Sequence, residues 1–245
     1  MAQDNEPKTA KRKSDSPADA KARIVDALFK LAAEQPFEEI SISAIAAEAG
    51  VSLADFRDAF PSKGAVLAGF SRRMDRAVLE KQSDDLAGEE AKDRLLDVLM
   101  RRLDAMAPYK EGLRGVAQWL RREPLSALAV NQLVVNSMRF MLEAAGIESA
   151  GVAGAIKLQG LALAWARIVG VWLDDSEPDL SKTMAELDRE LARGERAVAG
   201  VERLDRIAAP LRAVALAAFE GRRRARDASH RRPRDSEPPR EADPL

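Results

Sequence analysis

The stretch from Ser41 to Lys63 constrains this chain more than any other part of it. It reads SISAIAAEAGVSLADFRDAFPSK. Ser41 is placed to cap a short helix running through Ala49, because its hydroxyl can accept from a free N–H of the first turn. Gly50 follows where a sharp bend needs a positive φ, which glycine adopts without steric cost. Ser52 opens a second helix, and Asp55, three residues on, completes a capping box that covers free N–H groups from both sides. Ile45, Ala49, Val51, Phe56 and Ala59 are the apolar positions expected to point inward. Ala46 is expected to be small because the second helix crosses close to it. Pro61 and Ser62 end the second helix and start a third. The pattern predicts a helix-turn-helix whose second helix faces away from its apolar support.

The rest of the chain reads as helix after helix. Ile24, Val25, Leu28, Leu31 and Ala32 recur at spacings of three and four from Lys21 onward, and Pro36 stops that helix. Leu95, Leu96, Leu99, Leu103 and Met106 form a second stripe, broken at Pro108. Leu113, Val116, Ala117 and Leu120 form a third. Pro124 fits the first turn of a helix carrying Leu128, Leu133, Val134, Met138 and Met141, since its missing N–H does no harm there. Gly146, Gly151 and Gly154 mark a turn. Residues 155–173 are apolar nearly all round, which predicts a central buried helix. Lys157, Gln159 and Arg167 within it favour a core helix over a membrane span. The acidic stretch from Asp174 to Asp179 reads as a loop, with Asp179 or Ser181 as the next N-cap. Leu180, Met184, Leu187 and Leu191 give another amphipathic helix, and a last one spans residues 200–226.

Only 4% of the 245 residues are aromatic, and good helix formers dominate, so the expected class is all-α with about nine or ten helices. Four segments are expected: a disordered tail over 1–20, the helix-turn-helix over 21–70, a helical bundle over 71–226 and a second disordered tail over 227–245. The basic run Lys11-Arg12-Lys13 reads as part of a solvated tail.

Composition narrows the chemistry. With no cysteine, disulfides and thiolate metal sites are excluded. The one histidine, His230, lies in a tail rich in Arg and Pro. Histidine-based catalysis and histidine-ligated zinc therefore have almost nothing to work with, and neither paired carboxylates nor a glycine-rich loop stands out. The expectation is a protein that is not an enzyme and needs no metal and no cofactor. The N-terminus has charges but no apolar core, so it does not read as a secretory signal, and the cytoplasm is the default location.

Taken together, the small residue, the glycine, Val51-Ser52, the aromatic Phe56 and the run Phe60-Pro61-Ser62-Lys63 closely resemble the DNA-binding domain of the TetR family of transcriptional regulators, over residues 21–70. The resemblance implies a homodimer. It also implies a second short helix that enters the major groove of operator DNA, and a C-terminal domain that holds a small apolar ligand. On that basis Ser52, Leu53, Ala54, Arg57 and Asp58 would face the groove, while Ser41, Ser43 and Lys63 would reach phosphates. The family usually has tyrosine where Arg57 stands and often Lys-Gly where Leu53-Ala54 stand. From Lys21 to Arg76 the charges balance. Eight are basic (Lys21, Arg23, Lys30, Arg57, Lys63, Arg72, Arg73, Arg76) and eight are acidic (Asp26, Glu34, Glu38, Glu39, Glu48, Asp55, Asp58, Asp75). DNA-binding domains ordinarily carry a basic face.

A second resemblance lies at the other end. Val171-Trp172-Leu173-Asp174, Ser176, Asp179-Leu180, Thr183 and Leu187-Asp188-Arg189 are similar to the lipid-binding accessory proteins of coenzyme Q (ubiquinone) biosynthesis, which share the TetR fold. That resemblance implies an isoprenoid lipid in the helical core and peripheral membrane contact through a C-terminal amphipathic helix. Residues 200–226, with Leu204, Leu211 and Phe219 on a stripe flanked by arginines, suit such a contact and equally suit packing on the domain or on a partner. Met100, Met106, Trp119, Met138, Met141, Trp165 and Trp172 are the ligand-pocket candidates, and each equally fits plain core. The regulator is the first reading and the lipid-binding protein the alternative.

Overall fold

The structure, a computed structural model, describes residues 16–80 and 88–200. The expected helix over 200–226, the second tail and the basic run at Lys11 lie outside the described residues but for Gly200. Among the described residues there is no strand.

The first helix, α1, spans Pro17–Glu34. It starts four residues before the expected Lys21, so the tail expected over 1–20 is corrected at its end. The reason is local. The Ser16 hydroxyl accepts from the Asp19 N–H, the Asp19 carboxylate accepts from the Ser16 N–H, and Pro17 stands in the first turn. A short 3-10 turn, Phe37–Glu39, leads to α2 (Ile42–Glu48), α3 (Leu53–Ala59) and α4 (Lys63–Leu79). The bundle follows with α5 (Ala91–Met106), a 3-10 turn at Ala107–Tyr109, α6 (Lys110–Leu120), α7 (Pro124–Ala144) and α8 (Gly151–Asp174). A further helix, α9, begins at residue 181. The breaks at Pro36 and Pro108 and the helix start at Pro124 fall where the prolines predict.

Residues 1–194 and 195–245 form two compact units, and residues 195–200 of the second are helical. Within the first unit one apolar core runs without a break from Ile24 to Leu191. The helix-turn-helix is thus not a separate globule. Its first helix, α1, lies along α6 so closely that Gly112 and Gly115 meet backbone. A β-carbon at Gly112 would fall 2.3 Å from the Phe29 carbonyl oxygen, and one at Gly115 2.1 Å from that of Ala32. Trp119 of α6 stacks on Phe37 with ring centroids 4.4 Å apart, and Phe29, Phe70 and Tyr109 form an aromatic cluster beside it.

Two expectations about α8 are corrected. It begins at Gly151, and Gly154 lies inside its first turn rather than in the preceding loop. The helix backbone there closes on Ser149, leaving no room for a side chain. Nor is α8 buried all round. Trp165, Ile168 and Trp172 are buried, whereas Ile156 is 55% and Leu163 49% exposed. Its neighbours α6 and α7 cover only part of its circumference. Ala153–Asp174 is long and apolar enough to cross a membrane by length and composition, and a little under half of its most apolar part is buried. After α8 the acidic loop serves the next helix. The buried Asp175 carboxylate accepts from the Thr183 N–H at 2.9 Å and from its hydroxyl at 2.7 Å, while Asp179 accepts from the Ser181 N–H at 3.3 Å. The main cap is thus Asp175, four residues before the expected Asp179 in the same loop, and Asp179 adds a bond to the first turn.

Candidate nucleic-acid interface

The bend between α2 and α3 forms as its residues dictate. Ser41 accepts from the Ala44 N–H at 3.1 Å and lies 2.9 Å from the Ser43 hydroxyl. Gly50 has φ +63°, and the Val51 N–H returns to the Ala46 carbonyl at 3.0 Å, closing the turn. Arg23 of α1 donates to the Ala49 carbonyl at 3.1 Å, which holds the end of α2. At the start of α3 the Ser52 hydroxyl accepts from the Asp55 N–H at 3.0 Å, and the Asp55 carboxylate accepts from the Ser52 N–H at 3.2 Å and its hydroxyl at 2.7 Å.

Phe56 at 2% exposure and Phe60 at 4% anchor the inner side of α3. Ile45, Ala46 and Ala49 are buried as expected, and Val51 and Ala59 are half-buried. The opposite side of α3 is open. Ser52, Leu53, Ala54, Arg57 and Asp58 are all exposed, and Leu53 at 58% is an unusually bare leucine. Helical spacing places Leu53 with Arg57, and Ala54 with Asp58, on adjoining rows of this face. The Arg57 guanidinium reaches the Pro61 carbonyl at 3.1 Å. Asp58 makes no ion pair among the described residues.

Lys63 departs from its expected use. Its ammonium donates to the carbonyls of Phe37 at 2.6 Å and Ile40 at 3.0 Å and sits 4.5 Å from the Phe37 ring centre. Burial holds it below its ordinary pKa, against an opposing pull from Glu38. The side chain thus ties α4 to the 3-10 turn instead of projecting outward. Ser41 and Ser43 remain exposed beside the start of α2.

The seven pocket candidates do not form one group. Met106, Met138, Met141, Trp165 and Trp172 are buried in the bundle, Met100 is half-buried against them, and Trp119 stands apart on Phe37. Trp172 lies 5.1 Å from the Lys110 ammonium, and Trp165 lies 5.6 Å from the Arg102 guanidinium. Sequence reasoning missed the polar cluster beside Trp165. Arg102 of α5, 4% exposed, pairs with Asp75 of α4, and Asp75 also accepts from the Ser137 hydroxyl of α7 at 2.5 Å. The Arg102 Nε atom is buried without an acceptor. Burial pushes this guanidinium down from its ordinary value, and Asp75 pulls it back. The only signal in the sequence was an arginine at the core spacing of α5, between Leu99 and Met106.

Comparison with known proteins bears on this site. Residues 24–69 match the family model described as bacterial regulatory proteins, tetR family. No curated protein matches the chain. Among solved structures, a TetR transcriptional regulator from Nitrosomonas europaea ATCC 19718 is similar with a TM-score of 0.57 and 22% identity, covering 71% of this chain and 97% of that one. A TetR transcriptional regulator from Rhodococcus sp. RHA1 is similar with a TM-score of 0.52 and 19% identity, covering 74% and 97%. Residues 24–69 thus match the tetR family model, and the chain that carries them has the fold of the TetR transcriptional regulators.

Proposed function

We propose that this protein is a cytoplasmic, ligand-responsive transcriptional regulator that binds a palindromic operator as a homodimer and catalyses no reaction. The observation that carries this reading is the capped α3, seated on Phe56 and Phe60 with Leu53, Ala54, Arg57 and Asp58 turned outward. A helix offered in this way is sized for the major groove, with Ser41 and Ser43 near the flanking backbone. Two copies are supported by the apolar side chains that α7 and α8 leave bare. Leu125 is 80%, Leu128 66% and Phe140 51% exposed, in addition to Ile156 and Leu163 on α8. Bare apolar side chains in this number on two neighbouring helices suit burial against a second copy, which presents the same face by symmetry. A small apolar ligand among the buried Met and Trp residues would shift the spacing of the two heads by binding one spacing better than the other.

Fluorescence anisotropy with a DNA fragment from beside the protein's own gene tests the reading. Affinity is expected to fall with added salt and to fall again in Arg57→Ala. Sedimentation should report a dimer that Leu128→Glu dissociates. Affinity indifferent to salt and to Arg57, or a wild-type monomer at micromolar concentration, would overturn it.

A second reading, a lipid-binding protein on the same scaffold that assists ubiquinone synthesis and touches membranes through residues 200–226, rests on one observation. The α3 side is not basic: Lys63 is turned inward, Arg57 is engaged with Pro61, and Asp58 is bare. Extraction and mass spectrometry of the purified protein separates the two. A stoichiometric prenylated lipid without selective DNA binding establishes the second.

A further inference from the structure

If the regulator reading holds, on which this inference rests, the exposed side of α3 also says what kind of sequence it reads. Five residues of α3 are exposed, and with Asp55 engaged in the cap with Ser52 the others are Leu53, Ala54, Arg57 and Asp58. Two of these four are apolar. Leu53, 58% exposed, and Ala54 bring no donor or acceptor to a base edge or to a phosphate. The one cation of α3, Arg57, has a standing bond to the Pro61 carbonyl. Asp58 repels phosphate and can only accept, which suits an exocyclic amine of cytosine or adenine. Ser52 is already engaged with Asp55. A face so composed gains little from the acceptor-rich edge of guanine beyond what Arg57 supplies.

The major groove contains one apolar surface, the C5-methyl group of thymine. We propose that Leu53 and Ala54 are the specificity-determining residues and that they read thymine methyl groups, so that each half-site carries thymine opposite the start of α3. The packing argument is the same one that governs the interior. A leucine left bare in the free protein gains by covering a methyl group and excluding water from both. A hydrogen-bonding side chain in its place would tell bases apart by their edges, whereas Leu53 tells them apart only by the methyl group. A second prediction about the contact follows. Its discrimination is insensitive to salt, unlike the phosphate contribution to the same complex.

The test begins with selection of bound sites from a random duplex library by the full-length protein. In the selected half-site each thymine is then replaced by deoxyuridine, which keeps every hydrogen-bonding group and removes only the methyl. Loss of each buried methyl is expected to weaken binding by about fourfold. Leu53→Ala should weaken binding to the thymine site by a similar factor and bind the uracil site as wild type does. It should therefore lose most of the thymine-over-uracil preference at the position opposite Leu53 and keep it at the position opposite Ala54, and the wild-type preference should be unchanged between low and moderate salt. Arg57→Ala should weaken both sites alike and keep the preference. Because Leu53 is exposed, its replacement is expected to leave the melting temperature of the protein unchanged, which separates contact loss from misfolding. Equal binding of thymine and uracil sites overturns the inference, and so does a Leu53→Ala variant whose preference is undiminished at every thymine position. In both outcomes a selected site still stands, and the regulator reading with it. A library that yields no preferred sequence at all overturns the regulator reading itself, and the inference falls with it.

Discussion

Replacing Gly115 by alanine drives a methyl group into the backbone of α1. The added β-carbon would sit 2.1 Å from the Ala32 carbonyl oxygen, where ordinary contact begins at 3.4 Å, so α1 and α6 must part locally by about 1.3 Å. The obstacle is main chain on one helix facing main chain on the other, so rotamer changes cannot absorb it. A gap of 0.5–1 Å already forfeits roughly a quarter to a half of a van der Waals contact, and the loss extends to Phe29, Ala32 and Val116 along the same seam. Overpacking of this kind costs about 1–3 kcal/mol, and more where backbone resists. Against it stands the helix preference of alanine over glycine, about 1 kcal/mol. The collision wins. The net expectation is a loss of about 2 kcal/mol, or roughly 4–8 °C in melting temperature for a chain of this size. Gly170→Ala is the matched control, since nothing lies within 4 Å of that position in α8. There only the helix preference acts, and stability should rise by about 0.5–1 kcal/mol. Urea titration and scanning calorimetry measure both. If Gly115→Ala is as stable as wild type, the close approach of α1 to α6 is wrong, and with it the claim that the helix-turn-helix and the bundle share one core.

Two further expectations follow from buried polar groups. Arg102→Met should cost about 3–5 kcal/mol in urea titration, because it leaves Asp75 in a nearly closed site with Ser137 alone; the double variant with Asp75→Asn should recover part of that loss, since no orphaned charge remains. The second concerns acid. The Thr183 hydroxyl foremost, with its N–H, holds the Asp175 carboxylate below the usual range, so the unfolded chain takes up this proton at a higher pH than the folded one. The stabilisation is therefore complete above the ordinary carboxylate value and lost as pH falls through the lower folded one. Asp175→Asn should differ most from wild type near neutrality and converge with it in acid, as read from melting temperatures across that range.

Legibility varied with the reach of each interaction. The caps at Ser41 and Ser52, the bend at Gly50 and the breaks at Pro36 and Pro108 depend on atoms five or fewer residues apart, and the local sequence specifies them. The early start of α1 was equally local: Ser16, Pro17 and Asp19 form a complete starting signal that the surrounding polar tail obscured. Other features depend on residues far apart in the chain. Lys63 finds its acceptors 23 and 26 residues earlier, and nothing near it announces that its ammonium turns inward. Gly112 and Gly115 look like weak points in a helix until α1 is laid against them. The apolar ring of α8 cannot reveal which arc is left bare, because that depends on where α6 and α7 end up. The Asp75–Arg102–Ser137 cluster joins three helices and has no pattern within any one of them.

The charge balance of the helix-turn-helix takes on a different meaning once positions are known. A count of eight against eight treats every cation as available. Yet Arg23 is bonded to the Ala49 carbonyl, Lys30 to Glu48, Lys63 to two carbonyls, and Arg73 to Asp26 and Tyr109. These bonds run between α1, α2, α4 and the turns around them, so four of the eight cations help to hold the helix-turn-helix together. On the proposed function, a head whose cations are half engaged in this way and matched in number by acids draws less affinity from phosphate neutralisation, the sequence-independent part of DNA binding, than a basic face would. The fit of α3 to base edges then carries more of the binding, and one copy supplies little of it. The bare apolar faces of α7 and α8 then matter to recognition as much as α3 does: joining two weak heads at fixed spacing makes the second contact intramolecular and raises affinity without any new charge. On the proposed function, the bare leucines of the bundle and the charge-balanced helix-turn-helix belong together, because two heads joined at fixed spacing gain affinity that one head without a basic excess lacks.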